Sequence, residues 1–241
     1  MRNETRKISI SRFTGERRRT VEDVVASELN LEIILNERKV VTLPCSPTDL
    51  DSLAIGYLIS GGYINGKGDI ENILVNEKKG TVQVDTVSGK TLSGEQSLPK
   101  AESDLKITAG EVFDLMDRFI QRSKVFETTG GVHSAALCDR REIIVFKDDI
   151  GRNNAIDKLF GECILNDIPV DNRAVVVSCR MSSEILTKIA KRKIPVIISK
   201  SPPTDLGVRL ADELGITLLG FVRGKRMNAY THDWRIVEYG K

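Results

Sequence analysis

The run Ala174-Val175-Val176-Val177-Ser178-Cys179-Arg180-Met181-Ser182-Ser183-Glu184-Ile185-Leu186-Thr187-Lys188-Ile189-Ala190 decides how this chain folds. Four consecutive apolar residues cannot alternate between core and water, so 174–177 reads as a strand covered on both faces. Ser182 is a helix cap residue, and Ile185, Leu186, Ile189 and Ala190 then share one helical face. The pattern recurs downstream. Residues 195–198 make another apolar strand, Thr204 caps a helix closed by Gly215, and 217–221 is a further strand. Upstream, 132–137 and 142–146 read as neighbouring strands turning at Asp139-Arg140. A helix carrying Ile156, Leu159, Phe160, Cys163 and Ile164 follows them. A capping box of Thr108 and Glu111 opens the region, with Val112, Leu115, Met116, Phe119 and Ile120 on one face of its helix. Residues 108–241 are therefore expected to form a three-layer α/β domain, a sheet at least partly parallel with helices on its faces.

Residues 1–107 follow a different grammar. Leu31, Ile33 and Leu35 alternate, Asn36-Glu37 turns, and Val40 to Leu43 return, which predicts a hairpin. Thr48 with Asp51 reads as a capping box for a helix whose apolar face is Leu50, Leu53, Ala54, Tyr57 and Leu58, ending at Gly61-Gly62. A second hairpin turns near Lys79-Gly80. Strands, a helix and strands without βαβ alternation predict a smaller α+β domain. Residues 88–107, with Gly89, Gly94 and Pro99, read as a polar linker or mobile loop, and 1–22 as extended or loosely paired chain.

Lysine plus arginine (36) nearly balances aspartate plus glutamate (34), and a net charge of +2 does not mark a nucleic-acid binder. Locally, Arg2, Arg6, Lys7, Arg12, Arg17, Arg18 and Arg19 crowd the first twenty residues. With no apolar core behind them they are not read as a secretory signal. They are either a solvated arm or a docking segment for an acidic partner. No stretch reaches the roughly 18 apolar residues of a membrane span. Cys45, Cys138, Cys163 and Cys179 fit neither a metal site nor a disulfide framework, so a soluble protein in a reducing cytoplasm is expected.

Ligands of open α/β sheets sit outside the carboxyl ends of parallel strands, which singles out four loops. In 147–154, Asp149 either accepts from a ligand or caps the next helix, and Arg152 either pairs with phosphate or balances charge. Asp148 is read as a cap. Ser178 to Ser183 supply hydroxyls and a helix N-terminus, with Ser182 as the cap. Residues 199–204 form a rigid loop whose Lys200 is read as facing solvent. The sharpest is Phe221-Val222-Arg223-Gly224-Lys225-Arg226, three cations around a glycine, which is either an ordinary basic turn or an anion site. Gly130-Gly131 lead to His133, read either as a ligand donor and proton-transfer group or as a hydrogen-bonded structural residue. Zinc deaminase, P-loop and nucleophile-elbow signatures are missing.

Taken together, Thr129-Gly130-Gly131-Val132-His133-Ser134-Ala135-Ala136-Leu137, Asp148-Asp149-Ile150-Gly151-Arg152-Asn153-Asn154-Ala155-Ile156-Asp157-Lys158 and Gly220-Phe221-Val222-Arg223-Gly224-Lys225-Arg226 resemble the signature segments of the FdhD family, in order. Pro47-Thr48-Asp49-Leu50 and Leu53-Ala54-Ile55-Gly56-Tyr57-Leu58 are similar to the same family, so the resemblance runs from about residue 31 to 230. It implies a C-terminal domain similar in fold to cytidine deaminases, a cytoplasmic homodimer, and two protein partners, a cysteine desulfurase and formate dehydrogenase. The implied activity is transfer of sulfur to the molybdenum cofactor, as bis-molybdopterin guanine dinucleotide, bound at Phe221 to Arg226, with GDP or GTP as mimics. Gly131, His133, Asp149 and Arg152 complete the expected site.

The chain departs from that pattern where the family carries sulfur. The family's C-x-x-C loop corresponds to Thr86 to Thr108, which contains no cysteine. Among the remaining thiols, Cys179 stands best for a lowered pKa, beside a helix N-terminus and Arg180, although a buried apolar role is expected for all four. Asn153 replaces a histidine usual in the family, and two alternatives stand beside the sulfurtransferase: a cofactor-binding chaperone without that activity, and a nucleotide-handling enzyme on a deaminase-like fold.

Overall fold

The computed structural model describes residues 3–87 and 97–238. Its first element is a two-stranded ribbon, β1 (Thr5–Thr14) and β2 (Arg17–Ala26), turning at the left-handed Gly15. The arm is thus regularly paired, while most of its residues stay exposed.

The hairpin expected next is present as β3 (Leu29–Leu35) and β4 (Arg38–Cys45). Asn36 and Glu37 both have positive φ, the turn whose twist matches a hairpin. Helix α1 (Leu50–Ser60) ends at Gly61 as read, but its start differs. The chain enters through a left-handed Asp49 with no side-chain cap, displacing Thr48 from the cap position, and Asp49 instead pairs with Lys147 at 2.7 Å. Asp51 accepts from Ser52 N. β5 (Ile70–Asn76) and β6 (Thr81–Thr86) form the second hairpin, turning at left-handed Gly80. The two hairpins join into one sheet ordered β4-β3-β6-β5, with β3 and β6 parallel, a pairing the local pattern did not announce. Asn36 stitches it: its amide donates to Thr86 Oγ1 and accepts Thr86 N–H, both at 2.9 Å.

Part of the supposed linker lies outside the described residues. From 97 onward it is not loose. Ala101 and Ile107 are buried, Ala101 N–H donates to Leu214 O at 2.8 Å, and β7 (Ile107–Thr108) runs parallel to a C-terminal strand. Helix α2 (Ala109–Arg122) carries the predicted capping box. It buries Val112, Leu115, Met116 and Phe119, whereas Ile120 turns to solvent. Then follow α3 (Lys124–Thr129), β8 (His133–Cys138), β9 (Ile143–Asp149), α4 (Arg152–Leu165), β10 (Ala174–Val177), α5 (Ser183–Lys191), β11 (Val196–Ser199), α6 (Asp205–Glu213), β12 (Thr217–Arg223), β13 (Arg226–Thr231) and β14 (Ile236–Val237), the partner of β7.

The large sheet is ordered β13-β12-β11-β10-β8-β9, with β10, β11 and β12 parallel and β8 antiparallel to both neighbours. One face packs Val175, Val177, Ile197 and Leu218 under α4, α5 and α6. The other packs Ala136, Val176, Ile198 and Leu219 under α2. Side chains of one strand going alternately to both layers is why 174–177 is apolar throughout. The mixed α/β architecture is the one expected. Among the described residues no helix is long and apolar enough to cross a membrane.

The two sheets meet where α1 crosses α4. A Cβ on Gly56 would stand 1.9 Å from Asp157 O, and one on Gly161 1.8 Å from Ser52 O, so backbone lies on backbone there.

Candidate functional site

β9, β10, β11 and β12 end at one edge of the large sheet, and antiparallel β8 begins there. Four loops and His133 meet at that edge. Gly130, left-handed, ends α3, and Gly131 donates to Thr129 Oγ1, which delivers the chain into β8 at His133. His133 Nδ1 lies 3.3 Å from Ser178 Oγ, and Ser134 N–H donates to the same oxygen at 3.0 Å. Burial, then the charges of Arg152 and Lys200, hold His133 below its ordinary 6.5, opposed by Asp149.

The loops after β10 and β11 are tied together. Ser201 Oγ donates to Ser178 O at 3.0 Å, and Ser199 Oγ to Cys179 O at 2.8 Å. Lys200, read from sequence as a solvent lysine, instead stands 4.8 Å over the Phe126 ring, and its carbonyl accepts Arg223 Nε at 3.2 Å. At the fourth loop, Phe221 takes φ 53 in a register slip between Gly220 and Arg223. A non-glycine residue held there costs about 1–3 kcal/mol, a strain met most often at working sites. Val222 is fully buried in the core, so within 221–226 the groups offered to solvent are Arg223, Lys225 and Arg226, about a left-handed Gly224. Arg223 and Arg226 face each other across the hairpin.

The motif around Asp149 divides. Asp149 is 0 % exposed and pairs with the equally buried Lys158 at 2.7 Å. It also accepts from Ser46 N, Gly151 N and Asn154 Nδ2 at 2.8–3.0 Å. Its carboxylate therefore holds the loop rather than facing the edge, and it is Gly151, with no side-chain bond, that caps α4. Asp148 caps nothing either. It accepts from Ser123 Oγ at 2.6 Å, and burial pushes its pKa up. Arg152, one turn on, is exposed at the edge, 4.0 Å from Glu184. His232 lies elsewhere, 2.9 Å from Asp212 O. Sequence reading missed Ser178 as the partner of His133, and Ser46 and Lys158 as the partners of Asp149. The Ser46 contact spans 103 residues and the Ser178 contact 45, so spacing carries no trace of them, whereas Lys158 lies in the same motif as Asp149 and only its burial was hidden.

Comparison with known proteins shows the family. Residues 26–237 match the model of the FdhD/NarQ family. The chain belongs to that family. Relatives named sulfur carrier protein FdhD include one from Bacillus subtilis (strain 168), 39 % identical over 90 % of this chain and 92 % of its own. Another, from Listeria innocua, is 38 % identical over 94 % and 97 %. A crystal structure of a candidate formate dehydrogenase accessory protein from Desulfotalea psychrophila superposes with TM-score 0.88 at 27 % identity, covering 98 % of this chain and all of the other.

Against that family background the thiols stand out. All four cysteines of this FdhD/NarQ chain are described, free and buried. Burial pushes Cys45 and Cys138 up to about 12 and Cys163 and Cys179 to about 11. The lowered pKa expected for Cys179 is thus reversed. Arg152 and Arg180 do favour its thiolate, but loss of water at 4 % exposure outweighs them.

Proposed function

We propose that this chain is an accessory protein for formate dehydrogenase that holds the molybdenum cofactor, as bis-molybdopterin guanine dinucleotide, at the edge formed by His133, Arg152, Lys200 and the 221–226 hairpin. The observation that carries the reading is the facing pair Arg223 and Arg226. Like charges directly opposite across two strands destabilise a hairpin, and a bound anion reverses the sign of that contribution. A dinucleotide pyrophosphate is such an anion, and guanidinium forks match its oxygens in pairs. Arg152 and Lys200 add charge from the neighbouring loops, and neutral His133 adds a hydrogen-bonding group without further repulsion. Calorimetry should show GDP and GTP binding more tightly than ADP and ATP, with GDP and GTP binding weakened in Arg223→Ala. Equal affinity for both bases would refute the reading.

A second reading, a cofactor-binding chaperone that does not itself carry sulfur, is favoured by the cysteines. Carrying a persulfide requires an accessible thiolate. This chain has no cysteine in 86–108, and its four thiols are buried with raised pKa. Incubation with a cysteine desulfurase and cysteine should therefore leave little persulfide detectable by mass spectrometry, and robust loading at any cysteine would overturn this second reading. The family resemblance further implies a cytoplasmic homodimer. Light scattering should give twice the 26.8 kDa of one chain.

A further inference from the structure

The β1–β2 ribbon takes no part in the cofactor edge, and among the described residues neither strand pairs with a third. Two strands alone are marginal in water, so such a ribbon calls for a partner. Side chains alternate between its faces, and the register sorts them. On one face, Thr5, Lys7, Val24 and Ala26 at the root turn toward the body, where Ala26 lies against Gly131. The other face points away. Its cross-strand pairs are Arg6 with Val25, Ile8 with Asp23, Ile10 with Val21, Arg12 with Arg19, and Thr14 with Arg17. Four aliphatic side chains thus occupy the centre, Ile8 and Val25 at 39 % and 36 % exposure; Arg12 pairs with Asp23 at 3.5 Å, and Arg17 and Arg19 form an exposed basic rim toward the tip, while Arg6 lines the cleft at the root.

An apolar centre beside an arginine rim is the composition of a protein interface. Nucleic-acid phosphates need the cations but not the aliphatic centre. A second copy meeting it ribbon on ribbon would set arginine against arginine. The complementary occupant is a protein surface with an apolar centre and an acidic rim. Because Ala26 at the root lies against Gly131, two residues before His133, the ribbon springs from beside the cofactor edge, and a protein held along it stands within reach of that edge. We propose that this outward face is the docking surface for the client dehydrogenase, an assignment that rests on the accessory role above.

The test is biolayer interferometry of the full chain against the purified, cofactor-free catalytic subunit of formate dehydrogenase from the same organism. Reversing the rim in Arg17→Glu/Arg19→Glu, or breaking the centre in Ile10→Ser/Val21→Ser, should each raise Kd at least about tenfold, the loss expected of an anchor in an interface. Arg18→Glu makes the same kind of charge change on the opposite face and should stay within about twofold of wild type. The proposal is overturned if wild type does not bind the subunit or if all three variants weaken alike. It is also overturned if the rim variant loses only a desulfurase or a DNA duplex. GDP affinity measured on the same proteins separates the two readings. Ribbon variants should keep it, and a wild type that docks the subunit but takes no GDP would leave the surface standing and remove the cofactor assignment.

Discussion

The seam where α1 crosses α4 and the open edge of the large sheet are built from the same eleven residues, 148–158, and use them in opposite ways. Toward the seam go Asp149, Asn154, Asp157 and Lys158, all buried, every charge matched. Toward the edge goes Arg152, exposed, with Lys200, Arg223, Lys225 and Arg226 assembled around it from other loops. The seam spends polar groups on fixing one loop in one place. The edge leaves cations short of carboxylates, which is tolerable in water and useful only with an anion. A motif can therefore look functional throughout and yet be half scaffold.

The largest effect should come from the seam. In Lys158→Met the Asp149 carboxylate stays buried without its cation, and stability measured by urea unfolding should fall by about 3–5 kcal/mol. Adding Asp149→Asn should restore part of that loss, because the uncompensated charge goes with it. Next is Gly161→Ala. The new methyl would meet Ser52 O, which is backbone of the facing helix and cannot swing aside, so the helices must separate at a cost of about 3 kcal/mol. Both variants, measured where they remain folded, should bind GDP as wild type does. A loss of GDP affinity matching the loss of stability would show that the two regions are not separate.

The edge should respond the other way round. Arg223→Ala should lose on the order of 1.5–3 kcal/mol of GDP binding, one charged phosphate contact. Its unliganded stability should stay within about 0.5 kcal/mol of wild type or rise slightly, since Arg226 then faces no like charge. A fall in stability comparable to the seam variants would mean that Arg223 serves the fold through Lys200 O.

What could be read beforehand divides along the same line. The strands and helices of 132–221 were legible because burial on both faces leaves unbroken apolar runs, and the capping box at Thr108 because its partners are three residues apart. The parallel pairing of β3 with β6 was not, since it joins segments some fifty residues apart. The edge was legible as a set of strand ends, with Arg223 to Arg226 found by charge alone. Asp149 was misjudged because an acid buried against Ser46 and Lys158 looks, in sequence, like an acid facing water. Cys179 was misjudged for the same reason: helix end and arginine are visible in the sequence, and depth is not.

The smallest effect tests the chemistry of the edge most directly. Burial, Arg152 and Lys200 depress the His133 pKa, and only Asp149 opposes them. As pH falls through 6.5 the unfolded chain therefore takes up its proton first, and the stability owed to neutral His133 is present above that pH and lost as pH drops toward the folded value. NMR titration of the imidazole, assigned by its loss in His133→Gln, should place the midpoint below 6.5 in the free protein. Saturating GDP should move that midpoint upward, because phosphate beside Arg152 and Lys200 cancels the charges that disfavour imidazolium. The upward movement should vanish in Arg223→Ala at the same GDP concentration. A midpoint at or above 6.5 without ligand would contradict the electrostatics of the edge. A midpoint indifferent to bound GDP would mean that the anion sits elsewhere.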